Sequence, residues 1–157
     1  MGSAWEIKEA NRVLVGILHT DATTMSWSFG LRNLKIPGRD DLRMFDPFFP
    51  ISGVPFDHGR NAICQRAIEV GAEYVLHLDS DVVTPSNVLE RLMAHNLPIV
   101  SGMYCRRSPP HSIPVMIKNG GWYIPKQLGG MEEVDLVGSG CMLIKTDLLK
   151  TIAATSP

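Results

Sequence analysis

The sequence predicts an α/β domain on a mixed, mostly parallel central sheet. Three observations predict it. Short unbroken apolar runs, "RVLVGILHT" (12–20), "YVLHL" (74–78) and "PIVSGMY" (98–104), read as strands covered on both faces. Segments with helical apolar spacing separate them, the alternation expected of parallel strands. After Tyr104 strand-like segments follow one another without helices, which makes the sheet mixed. The 157 residues suit one domain over 1–157, with about 1–12 as an N-terminal extension.

Each element has its own signal. The run at 12–20 is strand one. In "DATTMSWSFGLRNLKIPG", Asp21, Thr23 and Thr24 offer helix caps, and Pro37-Gly38 ends a helix over about 25–34. "MFDPFFPISGVPF" carries Pro47, Pro50 and Pro55, so it is an edge strand or an extended loop. Asp57 caps the next helix, where Ile63, Ala67 and Val70 keep helical spacing and Gly71 suits its end. Strand 74–78 follows. "TPSNVLERLMAHNLP" reads as a helix with Thr84 as cap and Pro85 in the first turn. "SIPVMIK", "GGWYIP" and "VDLVGSGCMLIKT" are later strands, and "DLLKTIAATS" a final helix.

Composition narrows the function. A net charge of −1 gives no basic excess for general nucleic-acid binding. No apolar run approaches the roughly 18–20 residues of a membrane span, and "MGSAWEIKEANR" lacks a signal-peptide stretch. Cys64, Cys105 and Cys141 form no CxxC pair. An odd count favours free thiols in a reducing compartment and a cytoplasmic protein, although one disulfide stays open.

The chemistry gathers around "YVLHLDSDVVTPSNV". Asp79 and Asp81 sit where a strand ends, and ligands of open α/β sheets bind beyond the carboxyl ends of strands. Thr20 and Asp21 follow strand one at the same edge. Two carboxylates this close repel each other, and a hard cation such as Mg2+ or Mn2+ offsets that. Capping of the next helix or simple solvation is the alternative. "DHGRNAICQRA" places Arg60 and Asn61 in the first turn of a helix facing that edge, where an anion is favoured.

Together these residues resemble the GT-A glycosyltransferases, family-2-like members in particular. The resemblance is carried by "VLVGILHT", by the block from "GRNAICQRA" through "LDSD" to "PIVSGMY", and by "VDLVGSGCMLIKTDLL". It implies a Rossmann-like nucleotide-sugar-binding domain and transfer of a sugar from a UDP- or GDP-sugar donor to an acceptor. Asp79-Ser80-Asp81 would be the DxD motif, with Asp81 on Mn2+ or Mg2+ and Asp79 near the ribose or sugar and in the metal shell. Thr20 and Asp21 would lie near the nucleoside, and Arg60 and Asn61 near the nucleotide. Gly138, Ser139 and Gly140 would let backbone approach the donor sugar or acceptor.

The sequence also departs from that family. Inverting members usually carry an acidic general base, and often a metal-binding histidine, after the glycine-containing strand; this sequence reaches Pro157 before either. Glu132, Glu133 and Asp135 precede "VGSG", and Asp147 follows it as a helix-start acid. The reading is thus the donor-binding part of such an enzyme, with the family's C-terminal part missing. A nucleotide-sugar-binding module without turnover is the alternative. A nucleotidyltransferase is disfavoured because no Gly-rich phosphate loop follows strand one. His77 reads as a core histidine, and His58 as a residue near phosphate or solvent. Arg106 and Arg107 read as a phosphate or acceptor grip or a solvated loop. Trp122 and Tyr123 read as a sugar-stacking platform or a packed hairpin tip, and Cys141 as a small buried residue.

Overall fold

The computed structural model describes residues 13–20, 22–37, 46–109, 113–125 and 129–155. Its main sheet has five strands, β1 (Val13–Leu18), β2 (Phe48–Ile51), β3 (Tyr74–Asp79), β4 (Ile99–Ser101) and β8 (Cys141–Lys145). They lie in the order β2-β1-β3-β8-β4. β1 pairs in parallel with β2 and β3, whereas β8 runs antiparallel to both β3 and β4. The fold is therefore α/β with a mixed sheet, as the sequence predicts. The proline-bearing segment is indeed an edge strand. One pairing differs from a simple parallel reading: β8 lies between β3 and β4, so these two successive strands never touch.

Strand alternation sorts the core into two layers. Val13, Val15, Ile17, Leu76, Leu78, Cys141 and Leu143 face one side, with Trp27, Val88, Leu89 and Leu92. Helices α1 (Met25–Arg32) and α3 (Val88–Ala94) cover that side. Leu14, Val75 and Ile144 face the other, with Ile63 and Ala67 of α2 (Phe56–Glu69) and Leu148 and Leu149 of α4 (Thr146–Thr155). The helix α2 packs unusually close. A Cβ on Gly16 would meet Ile63 Cγ2 at 2.1 Å, and one on Gly59 would meet Leu18 Cδ1 at 2.4 Å. Two glycines thus let the first turns of α2 sit against the sheet.

Helix starts are where the structure departs from the sequence reading. Thr24 caps α1, its side chain accepting from Trp27 N–H at 3.2 Å. The cap of α2 is Pro55, not Asp57, which lies in the first turn and suits the positive dipole end. The next helix begins at Val88 with Asn87 as cap, and Thr84-Pro85 belongs to the preceding turn, where Val88 N–H bonds Pro85 C=O at 3.1 Å. Gly71, at φ 65, ends α2 as expected.

The run "VDLVGSGCMLIKT" divides between two sheets. β7 (Leu136–Val137) joins β5 (Met116–Lys118) and β6 (Gly121–Trp122) in a small antiparallel sheet, and β8 enters the main one. Ser139 and Gly140 form the turn between them. No described helix is long and apolar enough to cross a membrane.

Candidate functional site

The acids sit at the carboxyl edge of the main sheet. Asp79 is the last residue of β3 and is still held in register, opposite Leu18. Its N–H bonds Gly140 C=O at 2.9 Å, and Ser80 N–H bonds Leu18 C=O at 3.2 Å. A turn closed by Val82 N–H on Asp79 C=O, at 3.1 Å, then carries Asp81 off the sheet.

Alternation decides where Asp79 points. It shares the face of Val75 and His77, the α2 side. There Arg60 Nη2 donates to Asp79 Oδ1 at 2.6 Å. The Arg60 side chain is only 17% exposed and that of Asp79 30%, so water screens the pair weakly. Arg60 Nη1 is buried with no hydrogen-bond partner among the described residues. A buried donor of this kind is an opening for a ligand oxygen.

Asp81 finds a different cation. Arg107, from the turn after β4, forms an ion pair with its carboxylate. The Arg107 side chain is 83% exposed, so this pair is solvent-screened and worth at most about 1 kcal/mol. The two acids of "DSD" are therefore held by two arginines from separate elements.

The remaining walls come from Gly138, Gly140 and Tyr104. The Tyr104 hydroxyl accepts from Gly140 N–H at 2.8 Å. A Cβ on Gly138 would meet that hydroxyl at 2.1 Å, and one on Gly140 would lie 3.0 Å from Asp79 Oδ2. Both glycines are thus required by close approach. Burial, with the Asp79 charge adding to it, raises the Tyr104 pKa. Ser101 Oγ lies 3.1 Å from the carbonyls of Gly102, Gly138 and Cys141, tying the ends of β4, β7 and β8 together.

A cavity of about 320 Å³ opens beside the acids, lined by Ile17, His19, Thr23, Trp27, Leu31, Phe48 and Pro50. Its lining is mostly apolar, the character of a small-molecule pocket. Trp27 joins cavity to acids, because its Nε1–H donates to Asp79 C=O at 2.9 Å.

The sequence-selected residues fare unequally. Arg60, Asp79, Ser80, Asp81, Gly138, Ser139 and Gly140 share this edge. Thr20 follows β1 there and is exposed, its Oγ1 3.3 Å from Ala22 C=O. Asn61 is exposed on α2 and hydrogen-bonds neither acid. Asp21 lies outside the described residues. His58 stands 4.0 Å from Asp57, in solvent. Asp147 is at the opposite edge: Thr146 N–H bonds Glu73 C=O at the start of β3, and Asp147 pairs with Lys150. Glu132 and Asp135 are occupied in the small sheet, by Lys118 and by Asn119 N–H. Arg106 lies over the Trp122 ring at 5.3 Å, and Lys118 over Tyr123 at 5.0 Å. Cys64, Cys105 and Cys141 are all free. Sequence reading does not single out Trp27, Ser101 or Tyr104. Their one signal is position, next to strand ends at the edge that holds Asp79.

Whether a divalent cation fits is a question of donors. Among the described residues, no group of three or more His, Cys, Asp or Glu side chains converges. Two carboxylates are nevertheless a sufficient protein contribution for Mg2+ or Mn2+ when substrate phosphates complete the shell.

No protein-family model matches the chain, and no curated protein matches it. Among solved structures it is similar to A197 from STIV, with a TM-score of 0.60 and 16% identity over 88% of this chain and 67% of A197. At that identity the likeness speaks for the α/β fold alone.

Proposed function

We propose that the protein binds a nucleotide sugar with Mn2+ or Mg2+ and transfers its sugar to an acceptor, on a Rossmann-like GT-A domain. One observation carries the reading. Two carboxylates and a guanidinium with an unsatisfied buried N–H meet at the carboxyl edge of an α/β sheet. Such a set suits a diphosphate and its counter-cation better than it suits a structural ion pair, which would leave no donor empty.

Each group then has a part. The mostly apolar cavity under Trp27 takes the base. Asp81 with Asp79 holds the cation, which when bound stabilises the departing diphosphate as a Lewis acid. Arg60 keeps the Asp79 carboxylate ionised and oriented, and offers Nη1 to a ligand oxygen. Gly138, Ser139 and Gly140 leave room for the sugar over Asp79, and Tyr104 holds the Gly140 amide in place. Thr20 lies towards the nucleoside.

A second reading, a binding module without turnover of its own, is favoured by where the other acids stand. Asp147 is across the sheet, and Glu132 and Asp135 are tied up in the small sheet. None of them stands in line to deprotonate an acceptor hydroxyl.

Titration with UDP, GDP and their sugars, with and without Mn2+, tests the donor site. Asp81→Asn is expected to weaken Mn2+-dependent nucleotide binding at least about tenfold, the loss of one charged ligand. Equal binding by wild type and Asp81→Asn would refute the metal role. Donor hydrolysis or transfer distinguishes an enzyme from a binding module.

A further inference from the structure

The Asp81 carboxylate already has a cation. It is the Arg107 guanidinium, and the oxygen it occupies is one a metal would need. The other pair, Arg60–Asp79, is half-buried, and its arginine is also fixed by the packing of α2. The Arg107 side chain by contrast is 83% exposed, and solvent screening makes its pair the easier one to break. A divalent cation arriving alone must therefore displace Arg107 from Asp81 and leave that guanidinium without a partner. A cation arriving with a diphosphate does not, because the displaced guanidinium can turn to the phosphate oxygens. Arginine suits both carboxylate and phosphate by the same planar fork of donors.

From this we infer that Arg107 is a donor-phosphate-binding residue which Asp81 holds in place until the metal-nucleotide complex takes that carboxylate. The inference rests on the donor-site reading above and adds a partner exchange to it. The exchange makes metal and nucleotide binding mutually reinforcing: each removes a cost the other would meet alone. Neighbouring Arg106 stays out of it, stacked over Trp122 at 5.3 Å. The chain thus divides two adjacent arginines between two tasks, one packing on the small sheet and one answering to the acids.

The test uses the full chain, Mn2+ alone, and Mn2+ with UDP or GDP, followed by electron paramagnetic resonance and calorimetry. Arg107→Ala is expected to bind Mn2+ alone more tightly than wild type, by about tenfold if the competing pair is the main obstacle. The same variant is expected to bind the Mn2+-nucleotide less tightly, again by about tenfold, with Arg107→Lys between. Opposite shifts in the two affinities are the signature, and a purely structural role moves both the same way or neither. Unchanged or weakened Mn2+ binding by Arg107→Ala overturns the inference, and that arm reads out even if no nucleotide binds. Asp81→Asn separates the two failures. If it binds Mn2+-nucleotide like wild type, the donor reading itself falls. If it loses that binding while Arg107→Ala shifts nothing, only the exchange falls. Circular dichroism confirms that each variant is folded.

Discussion

His77 shows how one residue couples the core to the acids. It lies on the α2 face of β3 and is 1% exposed. Its Nε2 is 3.5 Å from Cys64 Sγ, and its Nδ1 has no partner among the described residues. Burial first, and then the Arg60 charge, lower its pKa from 6.5 to about 4. Burial likewise raises the Cys64 pKa, so the pair is a neutral thiol and a neutral imidazole rather than a reactive dyad. The consequence is a pH-dependent stability. Between these two pKa values the unfolded chain binds a proton that the folded chain refuses. Stability from this group is therefore full above about pH 6.5 and falls as the pH drops towards 4, by up to about 1.4 kcal/mol per pH unit. In urea unfolding, His77→Leu is expected to reduce the difference in stability between pH 7 and pH 4.5 by roughly 2 kcal/mol. Identical differences in variant and wild type would mean that His77 accepts its proton in the folded state. The sequence allows the core assignment, since His77 alternates with Leu76 and Leu78. The cost of burying it is visible only once Cys64 is seen beside it.

At the scale of elements, the decisive contact is α2 against β1. Ile63 is 0% exposed, and a Cβ at Gly16 would enter its side chain. Gly16→Ala is expected to cost about 1–3 kcal/mol by overpacking, and Ile63→Ala about 2–5 kcal/mol through the cavity it leaves. In the double variant the clash is gone, so the costs should fall short of their sum by roughly 0.5–3 kcal/mol. Strict additivity in thermal or urea unfolding would show that the two positions do not pack as described. This contact also serves the site, because it fixes the helix whose next face carries Arg60. Sequence periodicity reveals that α2 is a helix. It gives no hint that Gly16 matters, because a glycine inside a strand run says nothing of what approaches it.

For the whole molecule, strand order sets the hierarchy of stability. β3 is the central strand, flanked by β1 and β8, and both of its faces are buried. β2 and β4 are edges, and the small sheet pairs over short, largely exposed strands. Amide hydrogen exchange should therefore be slowest at Val75 to Leu78 and in β1, and much faster in β6 and β7. Slowest exchange in the small sheet would contradict that ordering. The site straddles the boundary, with Asp79 on the most protected strand and Arg107 beyond an edge strand. A rigid acid on one side and an easily displaced cation on the other is an arrangement suited to ligand exchange.

What the sequence determined by itself is what local physics encodes. Apolar runs marked β1 and β3, prolines marked β2 as an edge, and acids at the end of "YVLHL" marked the functional edge. The approach of Arg60 to that edge followed from its place in the first turns of α2. The tertiary structure alone decided that β8 separates β3 from β4, that Asp79 takes Arg60 and Asp81 takes Arg107, and that Tyr104 and Gly138 close the space between. The physical reason is range. Periodicity, caps and turns are set by residues a few positions apart, and they can be read along the chain. Strand order and ion pairing join residues tens of positions apart, and only packing chooses among their many possible partners.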